Sequence, residues 1–160
     1  MKKQKGVSLI ELLVVIAIFS ILAVLSATGV FMSLRGSRKA ESVSRVRENL
    51  DFSFAVMERQ IRNADIVSCS SSTQVDYDDK YGNTVFFSCE SVGIDGYISS
   101  ASARLTSDEI GIIACEFDCD PGDANVPPSV TISVTGQDVN ITGIEGAEVE
   151  LSTKVFLRTY

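Results

Sequence analysis

Apolar residues follow three patterns along this chain. From Leu12 to Leu34 there are 23 consecutive residues without a charge, and the apolar ones fall on every side of a helix. As an α-helix that stretch is about 35 Å long, enough for the roughly 30 Å hydrocarbon core of a bilayer. In the next segment apolar residues stand at Val43, Val46, Leu50, Phe54, Met57, Ile61 and Ala64. Steps of three and four residues are one face of an amphipathic helix. Most of the charged residues of this segment lie elsewhere, and Glu41 with Arg45 and Glu58 with Arg62 form i,i+4 pairs in the favourable order. With no proline before Pro121, one helix is expected from about Val7 to about Ile66, roughly 90 Å at 1.5 Å per residue. Gly29 is its soft point in the apolar half. Phe52 and Val56 lie off the main stripe and fit either the rim of a core or a subunit contact.

Beyond residue 66 the period shortens to two. Thr73–Asp78 and Thr84–Cys89 flank a turn made of Asp79, Lys80, Tyr81, Gly82 and Asn83, which predicts a hairpin. Tyr97–Leu105 and Ile110–Phe117 read as strands, and Asp118–Pro128 as a loop. Alternation at Val130, Ile132 and Val134, and again from Val149 to Leu157, predicts two half-buried strands. A long N-terminal helix followed by strands is an α+β arrangement, with an antiparallel sheet covering the amphipathic half of the helix. The expected divisions are residues 1–6, 7–34, 35–66 and a β-rich region over 67–160.

Charge alters this picture at both ends. The head Met1–Gly6 carries Lys2, Lys3 and Lys5, which the positive-inside rule keeps cytoplasmic. Without those three, 11 of the 14 basic residues face 21 acidic ones, a balance that disfavours direct contact with nucleic acid. Histidine is absent, which removes the commonest general base and metal ligand. No nucleophile motif, phosphate loop or metalloprotease signature occurs, so the chain is read as no enzyme. The run Asp76, Asp78 and Asp79 reads as a solvated turn.

Three readings of the N-terminus compete. A cleaved secretory signal fits the basic head, but the apolar segment is too long for one. A plain signal anchor leaves Glu11 unexplained. This carboxylate sits among Val7, Leu9, Ile10 and Leu12, where a charge costs up to roughly 2.5–3.5 kcal/mol at a helix centre and less near its edge. The third reading is a resemblance. Lys5-Gly6-Val7-Ser8-Leu9-Ile10-Glu11-Leu12-Leu13-Val14-Val15-Ile16-Ala17-Ile18 resembles the N-terminus of type IV prepilins and type II secretion pseudopilins. The resemblance covers Met1–Leu25. Val7 departs from the usual phenylalanine, and the span lacks the proline that major pilins often carry.

The resemblance implies a six-residue leader cut after Gly6 by a prepilin peptidase that also N-methylates Val7. It implies a lollipop-shaped structural subunit, membrane-inserted with its C-terminal part outside the cytoplasm, then packed into a surface pilus or periplasmic pseudopilus. Its partners would be other pilin or pseudopilin subunits, the peptidase/N-methyltransferase and an inner-membrane assembly platform. Glu11 would pair with the Val7 ammonium of a neighbour, a charge pair that sets register; snorkelling to the interface is the bland alternative. The segments Arg104–Ser107, Pro127–Ile132 and Leu151–Arg158 also resemble minor pilins and J-type pseudopilins. The competing function is a signal-anchored extracellular binding domain that does not polymerise.

Cys69, Cys89, Cys115 and Cys119 all follow the apolar segment, so disulfides are permitted if that part is extracytoplasmic. Four cysteines allow three pairings. The expected one is Cys69–Cys89 across the hairpin and Cys115–Cys119 as a small loop; a four-cysteine zinc site lacks paired knuckles. Asp118, Asp120, Asp123 and Asn125 gather oxygen donors around Pro121-Gly122. Such donors can hold calcium, and major pseudopilins carry a calcium loop near the C-terminus, but no distal glutamate completes a known loop here. A solvated turn without a cofactor is the expectation.

Overall fold

The computed structural model describes residues 8–79, 81–123, 125–141 and 146–158. Gly6 and Val7, the expected cleavage and methylation positions, lie outside the described residues, as does Lys80 of the expected hairpin turn. The described residues form one helix, α1 (Leu9–Arg62), followed by β1 (Val67–Ser71), β2 (Gln74–Asp78), β3 (Thr84–Glu90), β4 (Tyr97–Ser100), β5 (Ala103–Arg104), β6 (Ile110–Asp120), β7 (Ser129–Asp138) and β8 (Glu148–Phe156). It divides into two compact units, Met1–Arg38 and Lys39–Tyr160.

In the second unit all strand pairings are antiparallel. The strands make two meanders, a five-stranded sheet in the order β1 to β5 and a three-stranded sheet in the order β6 to β8. The predicted fold class is therefore the observed one, α+β, but with two sheets where one was expected. The helical stripe read from the sequence faces the sheets: Val46, Leu50, Met57 and Ile61 are fully buried, and Phe54 and Ala64 nearly so. They share one core with Val75, Phe87 and Ile98 of the first sheet and Ile110, Ile112, Ile132 and Val134 of the second. Side chains standing on alternate faces of β7 explain its burial, with Val130, Ile132 and Val134 buried and Thr131, Ser133 and Thr135 half-buried. Gly136 continues the inner row. A Cβ there would stand 3.3 Å from Leu50 Cδ1 and 3.4 Å from Val46 Cγ1, so its lack of a side chain lets the sheet approach α1.

Several boundaries differ from the sequence reading. The helix ends at Arg62 rather than near Ile66. Asn63 and Ala64 donate to Gln60 and Ile61, a tightening i→i−3 turn, and the Asp65 N–H then donates to the Asp78 carbonyl. Residues 67–71, assigned to no element from sequence, form β1. The expected strand Tyr97–Leu105 is two short strands, because Ala101 turns the chain with a positive φ of 51°. Strand β6 continues through Asp120 into the segment expected to be loop. Its alternation persists there, with Phe117 buried, Cys119 half-buried, and Asp118 and Asp120 exposed. The remaining turn needs Gly122, whose φ is +71° and where a Cβ would collide with the Val126 carbonyl.

The disulfides also differ. Cys69 bonds Cys119 and Cys89 bonds Cys115, with Cα separations of 5.7 and 6.4 Å. The expected pairing Cys69–Cys89 and Cys115–Cys119 is thus corrected, and strand geometry gives the reason. Cys115 and Cys119 lie four residues apart on β6, about 13 Å along a strand and beyond the reach of a disulfide. Between Cys69 on β1 and Cys89 on β3 lies all of β2, a gap of roughly 9.5 Å. Both observed bridges instead tie β6 to the five-stranded sheet.

Candidate functional site

The first unit holds the surface with the most distinctive chemistry. Every described residue from Ser8 to Glu41 is exposed, including Leu9, Phe19, Leu25, Phe31 and Met32. The N-terminal stretch of α1 is long and apolar enough to cross a membrane. Three of its hydroxyl side chains bond back to the helix: Ser20 Oγ donates to the Ile16 carbonyl at 2.8 Å, Ser26 Oγ to Leu22 at 2.8 Å and Thr28 Oγ1 to Leu25 at 2.9 Å. These three hydroxyls are satisfied by the helix itself, so they need no water where the surroundings are hydrocarbon. Sequence reasoning passed over these three residues, although a serine or threonine three or four residues after any helical carbonyl can bond back in this way.

Glu11 stands in the first turn of α1. A carboxylate there is favoured by the partial positive charge of the unpaired N–H groups at the helix start. That favourable field offsets part of the cost of placing a charge in an apolar run. Glu11 is exposed, like its apolar neighbours, so its carboxylate is available to a group from outside the chain.

In the second unit the titratable side chains mainly serve the fold. Asp79 Oδ1 accepts from the Tyr81 and Asn83 N–H groups and closes the β2–β3 turn. Asp76 accepts from Gln74 Nε2, and Asp78 from Thr84 Oγ1 at 2.7 Å. The carboxylate run at this turn is therefore spread over separate structural bonds. Tyr77, stacked on Phe87 at 5.1 Å, has its phenol pushed above the usual 10.0, chiefly by burial. A hydrogen bond with Ser100 opposes that shift and the nearby Asp79 charge adds to it.

The donors expected around Pro121 are also separated. Asp118 and Asp120 lie on β6, and Asp120 Oδ1 accepts from the Gly122 N–H. Asp123 Oδ1 accepts from the Asn125 and Val126 N–H groups at 2.8 and 3.0 Å. Among the described residues no three His, Cys, Asp or Glu side chains converge as a metal-holding group.

One ionic cluster was not foreseen in full. Arg45 meets Glu41 at 3.1 Å, as its spacing predicted, but also Glu109 at 3.5 Å and the fully buried side chain of Asp138 at 4.0 Å. Asp138 Oδ2 has no hydrogen bond, so Arg45 supplies the charge that compensates it. The link joins α1 to the end of β7 and is a contact of the fold.

The N-terminal stretch of α1 therefore presents an apolar surface on all sides, with one carboxylate near its start. Residues 1–27 match the family model for the prokaryotic N-terminal methylation motif. No curated protein and no solved structure matches the chain. The match takes in the basic head, Gly6, Val7 and Glu11, the segment on which the resemblance to pilins and pseudopilins rests, and it supports that resemblance.

Proposed function

We propose that this chain is a structural subunit of pilin or pseudopilin type, cut after Gly6 and N-methylated on Val7. The observation that carries this reading is the match of residues 1–27 to the methylation motif. The exposed helix beginning at Leu9 adds a physical reason for assembly, since its apolar surface must be covered by lipid or by other helices. On this reading the subunit is first held in the membrane by residues 7–34 and then transferred into a filament built from such helices. Its partners are other subunits of the same type, the prepilin peptidase/N-methyltransferase and a membrane assembly platform.

Glu11 acquires its role at the transfer. Cleavage creates an ammonium at Val7, and methylation leaves its charge in place. In a staggered bundle Glu11 of one subunit pairs with the Val7 ammonium of the next. Leaving either charge alone in an apolar interior is costly, so the pair selects one axial register. The resemblance of the segments Arg104–Ser107, Pro127–Ile132 and Leu151–Arg158 favours a minor pilin or a J-type pseudopilin over a major subunit.

Mass spectrometry of the mature N-terminus tests the processing step. The expected product begins at N-methylated Val7; a retained Met1, or a cut near Ala27, would replace the subunit reading with the anchored or secreted binding domain. For the assembly step, Glu11→Ala is expected to be cleaved normally yet to be lost from filaments. Incorporation of that variant at the level of the parent would remove the pairing argument.

A further inference from the structure

The margins of the two sheets are treated unequally. Strand β5 is only two residues long. Strand β1 has five residues, an irregularity between Cys69 and Ser71, and a disulfide to β6. The outer side of β6 is bonded to other backbone: Phe117 N–H donates to Ser72 at 2.7 Å, Gly93 N–H to Ile112 at 2.7 Å, and Ile112 N–H to Gly96 at 3.0 Å. Short length, bulges, covering segments and charged edge side chains are how proteins prevent edge-to-edge pairing. Strand β8 has only the last of these, in Glu148, Glu150 and Lys154, and its charges are of both signs. It runs nine residues from Glu148 to Phe156 without proline or glycine, in unbroken register with β7. Among the described residues no strand pairs with its outer side.

The hydrogen-bond pattern shows what that outer side offers. Leu157 N–H donates to the Pro128 carbonyl. In an antiparallel ladder, pairs that exchange bonds alternate with pairs that do not. Leu157 therefore places Val155, Thr153, Leu151 and Val149 among the residues bonded to β7. Glu148, Glu150, Ser152, Lys154 and Phe156 direct their N–H and C=O groups outward, and their side chains are all exposed.

We infer that β8 is a self-complementary docking edge whose occupant is β8 of a second copy of this chain, paired antiparallel about a two-fold axis through Ser152. The register that uses the whole strand sets Glu148 opposite Phe156 at each end. Glu150 of each copy then faces Lys154 of the other, on the same face of the joined sheet, and Ser152 faces itself. Directly opposed unlike charges favour a strand pair, and like charges disfavour it. Shifting the axis to Glu150 or to Lys154 would shorten the overlap and set like charges against each other. Within its own chain Lys154 lies 3.7 Å from Asp120 and 5.5 Å over the Phe156 ring, and it is half-exposed. That leaves it within reach of a second carboxylate. The main-chain bonds supply the adhesion and the charges choose the register.

A two-fold pair closes on itself and cannot propagate along a screw axis. On the subunit reading proposed above, and only for this last step, the pair is a form of the unassembled subunit that must open before incorporation.

Sedimentation equilibrium of the purified full chain in detergent tests the pairing independently of N-terminal processing. A reversible dimer is expected. Glu150→Lys and Lys154→Glu should each raise its dissociation constant about tenfold, because two symmetric contacts change sign, and the double exchange E150K/K154E should restore it. The amides of Glu150, Ser152 and Lys154 should also become slow to exchange hydrogen as concentration rises. A monomer at all concentrations would overturn the inference. So would a dimer indifferent to either reversal, a double variant as weak as the singles, or outward amides that stay fast.

Discussion

Between Leu9 and Leu34, α1 carries apolar side chains on every side and none of them is buried; between Val46 and Ile61 most of its large apolar side chains form one stripe, and that stripe is at the centre of the core. Both stretches are the same continuous helix. The difference lies in what stands between the apolar positions. In the second stretch Glu48, Arg59 and Arg62 occupy the exposed side and Arg45 gathers three carboxylates at its margin, so one packed face is enough to hide the apolar residues. An all-round apolar helix has no side that prefers water. A sheet on one side would leave most of its surface exposed, and only a medium apolar in every direction can cover it. The apolar face of one stretch is thus covered within the chain, and the apolar surface of the other is left exposed by it.

The sharpest way to break this comparison is to make the same deletion in both stretches. Leu50→Ala is expected to lower the stability of the Lys39–Tyr160 unit by about 2–5 kcal/mol, through lost burial and the cavity left behind. Leu22→Ala should leave it within about 0.5 kcal/mol of the parent. Denaturant unfolding, followed by hydrogen exchange in the strands, reads both; a large effect of Leu22→Ala on the strands would end the distinction.

A second test acts on the surface that the amphipathic stretch packs against. Both bridges hold β6 to the five-stranded sheet, closing sequence separations of 50 and 26 residues. On the chain-entropy model, replacing Cys69 and Cys119 by serine should cost about 4 kcal/mol, and replacing Cys89 and Cys115 about 3.5 kcal/mol. The unfolding midpoints should therefore fall in that order, and the reverse order would show that the bridges act through the folded state.

The smallest effect should come from Phe52. It belongs to the second stretch but is 60% exposed, in contrast to the half-buried Val56, which packs against the core. Phe52→Ala is expected to change stability by no more than about 0.5 kcal/mol. A loss comparable to that of Leu50→Ala would mean that the stripe is wider than its buried residues indicate.

Much of this was legible in the order of residues. Stepping by three and four between Val46 and Ala64 marked the buried face, because helical geometry alone brings those positions together. The alternation in β7 and β8 marked two strands for the same reason, and the spacing of Glu41 and Arg45 marked their ion pair. The failures came where a local signal was crossed by a distant one. The sequence Asp118–Gly122 looks like a turn throughout, yet Cys119 is held in strand geometry by β7 and by Cys69. Cys115, Phe117 and Cys119 already alternate at period two, and reading that alternation past Asp118 would have excluded the Cys115–Cys119 bridge. Strand β1 carried only a short form of that signal: Val67 and Cys69 alternate with Ser68 and Ser70 and pack half-buried against the core, but the alternation ends within the strand's five residues.

Sequence by itself determined the all-round apolar stretch of helix, the carboxylate at its start, the class of fold and the face of the helix that packs, because each follows from the local order of residues within single elements. Only the tertiary structure decided that the strands form two sheets, that the cysteines bridge between them, that Arg45 reaches Asp138, and that β8 is left as an open edge. Those features depend on which strands become neighbours. Strand pairing joins residues far apart in the chain, and a local pattern of polar and apolar positions fits several such pairings equally well.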